Sequence, residues 1–454
     1  MRRRITRRTV LQSAAASFGL AIVPAHVLGG GAGTPPSEKL NIAGIGVGGR
    51  GGGVLKEMSG HKAANIVALC DIDSKKAAGQ FKTYAKAQVF KDYRQMLDKI
   101  GKDIDAIMCA TPDHLHAPIS LHYMRAGKHV YVEKPMAHSV EEARLMAAVA
   151  KEKNLVTQMG NNGHAGEGLR QTKEWLDAGA IGTVKEIHGW SDRPGVPDKG
   201  KKQWWPQPAV PAPKEKVAPP AELDWDLFLG PAPERPYDPA IHPFKWRGYF
   251  DFGTGALGDM AVHNIDPAFF SLDLGAPLAA SVESSPIGHD SYPAWQICTW
   301  EFAARGARPA LKLKWYDGGK KPQAPAQLEG YDIGENGILF VGDKGVIACG
   351  GWSGNPRLFP GERRKEFKTP EKTLPRSNGH QAEWIDACLA GKPEKAMAGF
   401  WYSGPFTEAL LVGVIACRLQ KRVEWDSAAM KCPNAPEADP IIRKVYRKGF
   451  DIRG

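Results

Sequence analysis

Residues 39–73, KLNIAGIGVGGRGGGVLKEMSGHKAANIVALCDID, decide the fold. Leu40 to Ile45 is an apolar run of the kind that forms a buried strand. Gly44, Gly46 and Gly49 follow as G-x-G-x-x-G, then a helix-like segment to about Met58, then a second strand, Ile66 to Cys70, ending at Asp71. The glycine pattern alone is weak, and a glycine-rich turn in an ordinary α/β sheet is the plainer alternative. Strand, glycines, helix, strand and acid in this order, with the acid about 20 residues past the last glycine, point to a dinucleotide-binding unit. The first glycine permits the tight turn, the second lets backbone approach a pyrophosphate, and the third permits close helix packing. The helix N-terminus supplies N–H donors and the positive end of a dipole. Asp71 suits the two ribose hydroxyls of NAD and repels a 2′-phosphate. Lys75 and Lys76 lie just beyond it and leave NADP open.

With 454 residues the chain has room for two domains, and 43% hydrophobic with 24% charged residues is ordinary for a globular protein. The formal charge of +11 includes Arg2, Arg3, Arg4, Arg7 and Arg8 at the very start. No Lys/Arg stripe interleaved with aromatics is present, so no nucleic-acid partner is expected. Arg7-Arg8 precedes an apolar stretch from about Ala14 to Leu28, the pattern of a twin-arginine export signal. Ser17, Gly19 and Pro24 interrupt that stretch, which argues against a transmembrane helix. Residues 1–33 are therefore expected to be a signal peptide and leader, the location periplasmic or otherwise exported, and the mature form without a membrane span. A disordered basic tail is the alternative. The seven cysteines contain no C-x-x-C, and Cys70 and Cys109 end apolar strands, where Cys behaves as a small apolar residue.

Further strands are expected at Asp103–Ala110, His129–Val132 and Leu155–Met159. Helices are expected at His116–Ala126, with Asp113 as N-cap, and from the Ser139-x-x-Glu142 capping box to about Lys153. Strands alternating with helices imply a doubly wound parallel sheet, whose carboxyl edge binds ligands. After Gly160 the texture changes. Leu169–Ala178 has a helical pattern and Val184–Trp190 a strand pattern. The Pro- and Lys-rich stretch 194–220 carries Trp204-Trp205, either a wall for a ligand such as a sugar ring or a packed surface loop. In Asp251–Phe270, Asp259, His263 and Asp266 fall at i, i+4 and i+7, one face of a regular helix. Segments at Trp295–Phe302, Ala310–Trp315 and Gly337–Cys349 suggest antiparallel strands, and Gly379–Leu389 and Thr407–Leu419 closing helices.

Several of these segments together resemble the Gfo/Idh/MocA family of oxidoreductases. The resemblance rests on Gly44-Ile45-Gly46-Val47-Gly48-Gly49, Thr111-Pro112-Asp113-His114-Leu115-His116, Glu133-Lys134-Pro135 and the run Gly258–Asp266. It implies an α/β fold: an N-terminal Rossmann doubly wound parallel sheet over 38–160, then a C-terminal α+β domain over 161–454. The second sheet would be open and largely antiparallel, and often pairs copies into a homo-oligomer. The resemblance makes Lys134 the catalytic lysine, with Asp259 and His263 completing the constellation. Cofactor contacts are expected from Gly44, Gly46, Gly49, Arg50, Asp71, Thr111, Pro112, His116, Glu133 and Lys134. For His116, packing its own helix is an equal alternative. Substrate contacts are expected from His164, Arg193, Trp204, Trp205 and Arg247, with a sugar, glycoside or polyol as substrate. Asn161-Asn162-Gly163-His164 departs from the Arg- or Tyr-containing loop of many members. Trp225–Pro233 and Trp246-Arg247-Gly248 resemble an exported branch.

Oxidising a secondary alcohol needs a nicotinamide at the carbon, a base for the hydroxyl proton and a positive group for the alkoxide. His263 is the first choice of base and Lys134 of cation, although burial of Lys134 would let the two exchange roles. Asp259 would orient His263 or grip a second hydroxyl. Without the resemblance, His263 would read as a satisfied core histidine. No metal is expected, because Asp259, His263 and Asp266 lack a further ligand of clear spacing. A folded exported protein carries its dinucleotide with it and meets little free NAD, so a redox-neutral cycle is favoured. The chemistry is then an oxidoreductase acting on a sugar. The runner-up is a family 109-like glycoside hydrolase working by oxidation, elimination, hydration and reduction, and a non-catalytic sensor is the third reading.

Overall fold

Six parallel strands form the first sheet. They are β1 (Leu40–Ile45), β2 (Ala64–Cys70), β3 (Gln88–Phe90), β4 (Ala106–Cys109), β5 (His129–Val132) and β6 (Thr157–Met159), in spatial order β3-β2-β1-β4-β5-β6. The computed structural model describes residues 38–195, 204 and 217–453. The arginine-rich leader and Trp205 lie outside them. The strand order is that of a Rossmann sheet, in which successive strands are added first to one side of β1 and then, from β4, to the other. Helices α1 (Arg50–Ser59), α2 (Ser74–Thr83), α3 (Tyr93–Ile100), α4 (Asp113–Arg125) and α5 (Val140–Glu152) connect the strands.

The expected strands and helices are present, most with ends moved by one to three residues. Two local expectations resolve differently. The Ser139 capping box forms, with Ser139 Oγ accepting from Glu142 N–H and the Glu142 carboxylate accepting from Ser139 N–H at 2.9 Å. Asp113, by contrast, is not an N-cap. Pro112 takes that position, and Asp113 sits in the first turn, buried, accepting hydrogen bonds from Thr254 N–H (3.0 Å) and Oγ1–H (2.6 Å). A long-range partner has displaced the local one. The sequence also left α2, β3 and α3 unassigned. β3 is a three-residue edge strand with two exposed residues, so it carries no apolar run. The signals that were there are Asp73 and Asp92, which cap α2 and α3.

Past α6 (Glu167–Asp177), eight strands form the second sheet: β7 (Val184–Trp190), β8 (Ala279–Ser284), β9 (Gln296–Phe302), β10 (Leu311–Tyr316), β11 (Gly337–Gly342), β12 (Val346–Gly350), β13 (Arg357–Phe359) and β14 (Val423–Glu424). Their order is β13-β12-β11-β7-β10-β9-β8-β14. Only β7 and β10 pair in parallel, and every other neighbour is antiparallel. β9 shows why it lies flat on a core: Gln296, Cys298, Trp300 and Phe302 are buried while Ile297, Thr299 and Glu301 between them face outward.

Two late helices tie the sheets together. α7 (His380–Ala390) packs back on the first sheet, where Trp384 and Ile385 share a core with Leu40, Ile42, Leu69 and Met108. α8 (Phe400–Leu419) lies between α5 and the second sheet. It begins seven residues before the expected Thr407, because Gly404 and Pro405 are accommodated in its first turns. At Gly404 the helix comes within contact of Ala147, and at Gly413 it meets the Trp300 ring. Trp300 Nε1 donates to Ala409 O at 2.8 Å. α8 is long and apolar enough to cross a membrane, with mean hydropathy 1.3, but 83% of that stretch is buried inside the fold. All seven cysteines are free and buried.

Trp300 thus joins β9 to α8 by packing and by a hydrogen bond. Trp300→Ala is expected to lower the unfolding free energy by about 3–5 kcal/mol, the usual cost of such a truncation. Denaturant unfolding followed by circular dichroism measures it, and a loss under ~1 kcal/mol would refute this account of the joint.

Candidate active site

A cavity of about 680 Å³ opens at the carboxyl edge of the first sheet, where β1 and β4 part. Its size is that of a cofactor or substrate pocket. The glycine turn forms one wall. Gly46 has φ +74, and a Cβ there would lie 2.8 Å from Ala110 O, so neither the conformation nor the space admits a side chain. Close packing of α1 on the turn falls at Gly51, where a Cβ would lie 2.0 Å from Gly46 O. That role had been expected of Gly49, which instead precedes α1 with φ +81 and only the Lys76 side chain nearby. Gly44 lies at the end of β1, packed against Val47 and Leu55. Gly48, Gly49 and Arg50 line the cavity at the N-terminus of α1.

Asp71 ends β2 in the same cavity, its oxygens accepting N–H bonds from Gly48 (2.8 Å) and Asp73 (3.0 Å). Burial pushes its carboxyl up, and the two backbone N–H groups oppose that. Lys76 stands beside it, donating to Pro243 O at 3.2 Å. Thr111 and Pro112 line the cavity after β4. His116 does not. It is buried with Nδ1 2.7 Å from Pro135 O and Nε2 2.9 Å from Thr111 O, bracing the β4 turn against the β5 turn.

Beyond β5, Glu133 accepts from Arg50 Nε at 3.0 Å, and Lys134 Nζ donates to Asp259 Oδ1 at 2.8 Å and Asp259 O at 2.6 Å. Arg247 Nε donates to the same carboxylate oxygen at 3.3 Å. Burial pushes the Asp259 carboxyl up, but Lys134 and Arg247 outweigh it and hold it well below the usual carboxylate range. His263 faces the cavity and has no hydrogen-bond partner among the described residues, its Nδ1 being fully buried. Burial and the neighbouring Lys134 ammonium hold it well below the ordinary histidine value, so it is a neutral imidazole at pH 7.

The comparisons with known proteins fall in line with this geometry. Residues 40–161 match the family model described as the oxidoreductase family, NAD-binding Rossmann fold, and residues 194–334 match the same family's C-terminal alpha/beta domain. The chain belongs to the Gfo/Idh/MocA oxidoreductase family. Among relatives, it is 31% identical over 182 residues to a levoglucosan dehydrogenase of Pseudarthrobacter phenanthrenivorans, covering 39% of this chain and 35% of that protein. It is 35% identical over 117 residues to a glycosyl hydrolase family 109 protein of Shewanella, covering 24% and 25%. These matches span about a quarter to a third of the relatives' lengths. A solved WlbA dehydrogenase from Bordetella pertussis, in complex with NADH and UDP-GlcNAcA, shares the fold, with TM-score 0.59 and 18% identity over 86% of this chain and 99% of that one. The cofactor of this Gfo/Idh/MocA chain is therefore NAD. Gly46, Gly48 and Gly49, the α1 N-terminus and Asp71 fit it, a turn of bare backbone that leads to an acid in the same cavity.

The remaining expected site residues divide. Arg247 lines the cavity, its guanidinium stacked 4.2 Å over Trp246 and 4.3 Å over Phe244. His164, Arg193 and Trp204 do not line it. Buried His164 turns its Nδ1 to Asp266 at 2.9 Å. Arg193 pairs with Asp192 and lies 3.8 Å over the Trp204 ring. Asp259, His263 and Asp266 do not share a face either. Leu257–Ala261 is a π-helical turn, wider than an α-turn, and the helix breaks at Ile265. Asp266 is consequently directed to His164, Asn161 and Tyr402, away from the cavity.

Among the cavity residues to which the sequence assigns no site role, two lie close to the Lys134–Asp259–His263 group or its neighbours. Trp352 sits on a loop after β12 with its ring 5.5 Å from His263. Its backbone is left-handed (φ 56, ψ 34), a conformation costing a bulky residue about 1–2 kcal/mol. Only the flanking Gly350-Gly351 and Gly354-Asn355 hinted at an unusual turn. The other is Asp113, whose carboxyl burial pushes up to about 7, against its Thr254 hydrogen bond and the charges of Arg247 and Lys134.

An Asp whose proton is held to about pH 7 in the fold and lost near 3.9 when unfolded favours the folded state less as pH rises through that window. The penalty is absent below pH ~4 and full above ~7, and reaches up to roughly 4 kcal/mol. Asp113→Asn keeps the acceptor for Thr254, so it is expected to raise Tm at pH 8 and leave it nearly unchanged at pH 4.5. Calorimetry at the two pH values measures this, and an equal shift at both would sink the explanation.

Proposed function

We propose that this protein is an exported oxidoreductase that uses NAD to interconvert a secondary alcohol and a ketone on a sugar, glycoside or polyol. The observation that carries the reading is the meeting of Lys134, Asp259 and neutral His263 in the cavity that also holds the glycine turn and Asp71. NAD, when bound, supplies the hydride acceptor. The chain's own residues handle the proton and the charge. His263, whose ring lines the cavity, accepts the hydroxyl proton at the ring nitrogen that faces it, not at the buried Nδ1. Lys134, gripped at two points by Asp259, presents its positive charge to the alkoxide oxygen. Arg247 shares the Asp259 carboxylate and stands ready for a further hydroxyl.

The far end of the cleft supports a cofactor that stays bound. A strap from the second domain closes over the β2 turn: Asp224 N–H donates to Ile72 O (3.0 Å), Ser74 N–H to Glu222 O (3.2 Å), and His242 Nε2 lies 2.8 Å from Asp73 Oδ2. Retention suits an exported enzyme whose Arg7-Arg8 leader takes it away from the cytoplasmic NAD pool. It also favours a cycle in which reduction and oxidation close within one turnover. The resemblance to the Shewanella family 109 protein favours, as a second reading, glycoside cleavage with no net redox change. The outward face of the second sheet, with Glu186, Thr299, Glu301 and Lys312, is the surface through which we expect copies to pair.

Denaturing untreated exported protein is expected to release roughly one NAD per chain. No release, with no binding on titration, overturns the reading. Lys134→Ala and His263→Ala are each expected to lower turnover by about 10²- to 10⁴-fold, with NAD content preserved. Stopped assays of a sugar and glycoside panel measure this, and the products separate the readings: a changed oxidation level means an oxidoreductase, and a cleaved glycoside at unchanged level means a hydrolase. Near-normal turnover in either variant removes that residue from the mechanism.

A further inference from the structure

Trp352 lies past residue 334, where the family's C-terminal match ends, so nothing in that match bears on it. Trp190, Trp300, Trp315 and Trp384 are fully buried, whereas Trp352 is 43% exposed and lines the cavity beside His263. Its backbone is fixed from three sides. Its N–H donates to Asn264 Oδ1 at 3.1 Å, and Asn264 Nδ2 donates to Trp190 O at 2.8 Å. The loop also presses on the chain before and within α6. A Cβ on Gly163 would lie 2.7 Å from Trp352 O, and one on Gly168 would lie 2.0 Å from Ser353 O. Ser353 is left-handed as well, with φ 62. A large aromatic side chain is thus held in a conformation glycine prefers, by its backbone, while its ring is left out of the core. Packing explains the loop but not the indole.

We propose that Trp352 is the platform for the C–H face of a cyclic sugar, so that the site selects pyranosides over acyclic polyols. This rests on the carbohydrate oxidoreductase reading and names its substrate class. A pyranose gathers C–H groups on a ring face and places its hydroxyls round the edge. The face matches an indole, and the edge meets the polar groups of Lys134, Arg247 and Asn162 lining the same cavity. An open-chain polyol has no preformed face and must order several rotors to make one. Because Asn264 adjoins His263 in sequence and holds the Trp352 backbone, platform and base are placed by one short segment.

The test compares NAD-loaded wild type, Trp352→Gly and Trp352→Phe. Methyl β-D-glucopyranoside and D-glucitol are the probes, with binding followed by calorimetric titration and the nicotinamide by absorbance. Wild type is expected to bind the pyranoside more tightly than glucitol. Trp352→Gly is expected to weaken the pyranoside by about 10- to 100-fold, the scale of losing a good apolar contact, and glucitol by less than ~3-fold. Trp352→Phe should recover most of the loss. Glycine relieves the left-handed strain, so the Tm of Trp352→Gly should equal or exceed that of wild type. Equal weakening of both probes, an unaffected pyranoside, or a fall in Tm with loss of both ligands overturns the platform. If the pyranoside binds through Trp352 but never changes the nicotinamide spectrum, the platform stands and the oxidoreductase reading fails.

Discussion

The ion pair between Lys134 and Asp259 is the constraint on which the site depends. The ammonium comes from the end of β5 and the carboxylate from a π-turn of the second domain, so the pair exists only when the two domains are docked. Both side chains are largely out of water, where either charge alone would be costly. Once they are placed, their neighbours follow. Arg247 can approach because Asp259 has a second lone pair to offer. His263 stays neutral because it is buried beside a fixed cation. Arg50 holds Glu133 and His116 braces Pro135, so the turn carrying Lys134 is tied to both the glycine turn and the β4 turn.

The first sheet was legible in the sequence because its signals are local. A glycine turn, a capping box and apolar runs each act within a few residues, and Leu40–Ile45 and His129–Val132 end where the pattern ends. Lys134, Asp259 and His263 were legible through motifs, and the structure brings all three to one cavity. What escaped was decided at long range. Asp113 has the chemistry of an N-cap, yet it is taken by Thr254, 141 residues away. The spacing of Asp259, His263 and Asp266 predicts one face only for a regular helix, and a π-turn followed by a break undoes it. Trp204-Trp205 reads as either an aromatic wall or a packed surface loop, and of the described residues Trp204 stacks on Arg193 while Trp352 lines the cavity. No pattern within ten residues of Trp352 shows that Asn264 will pin it.

Family membership and local geometry carry different parts of the argument. Membership assigns the nucleotide fold and NAD. It says little of the substrate, since the curated relatives match over short stretches and the solved neighbour shares only the fold. The substrate end of the cavity must therefore be argued from this chain's own side chains. These are Arg247 stacked on Trp246 and Phe244, Asp113 with its proton held to about pH 7, and an indole beside His263.

The return of α7 to the first sheet bears on how the chain is made. Leu40, Ile42, Leu69 and Met108 leave the ribosome early, but Trp384 and Ile385, which cover them, are synthesised more than 200 residues later. Throughout that interval the nucleotide-binding half exposes an uncovered apolar face, the kind of surface that chaperones hold and proteases find. An unfinished chain is marked by its own stickiness. α7 therefore acts as a seal on the first sheet, and that face stays open until residues 384 and 385 have been made.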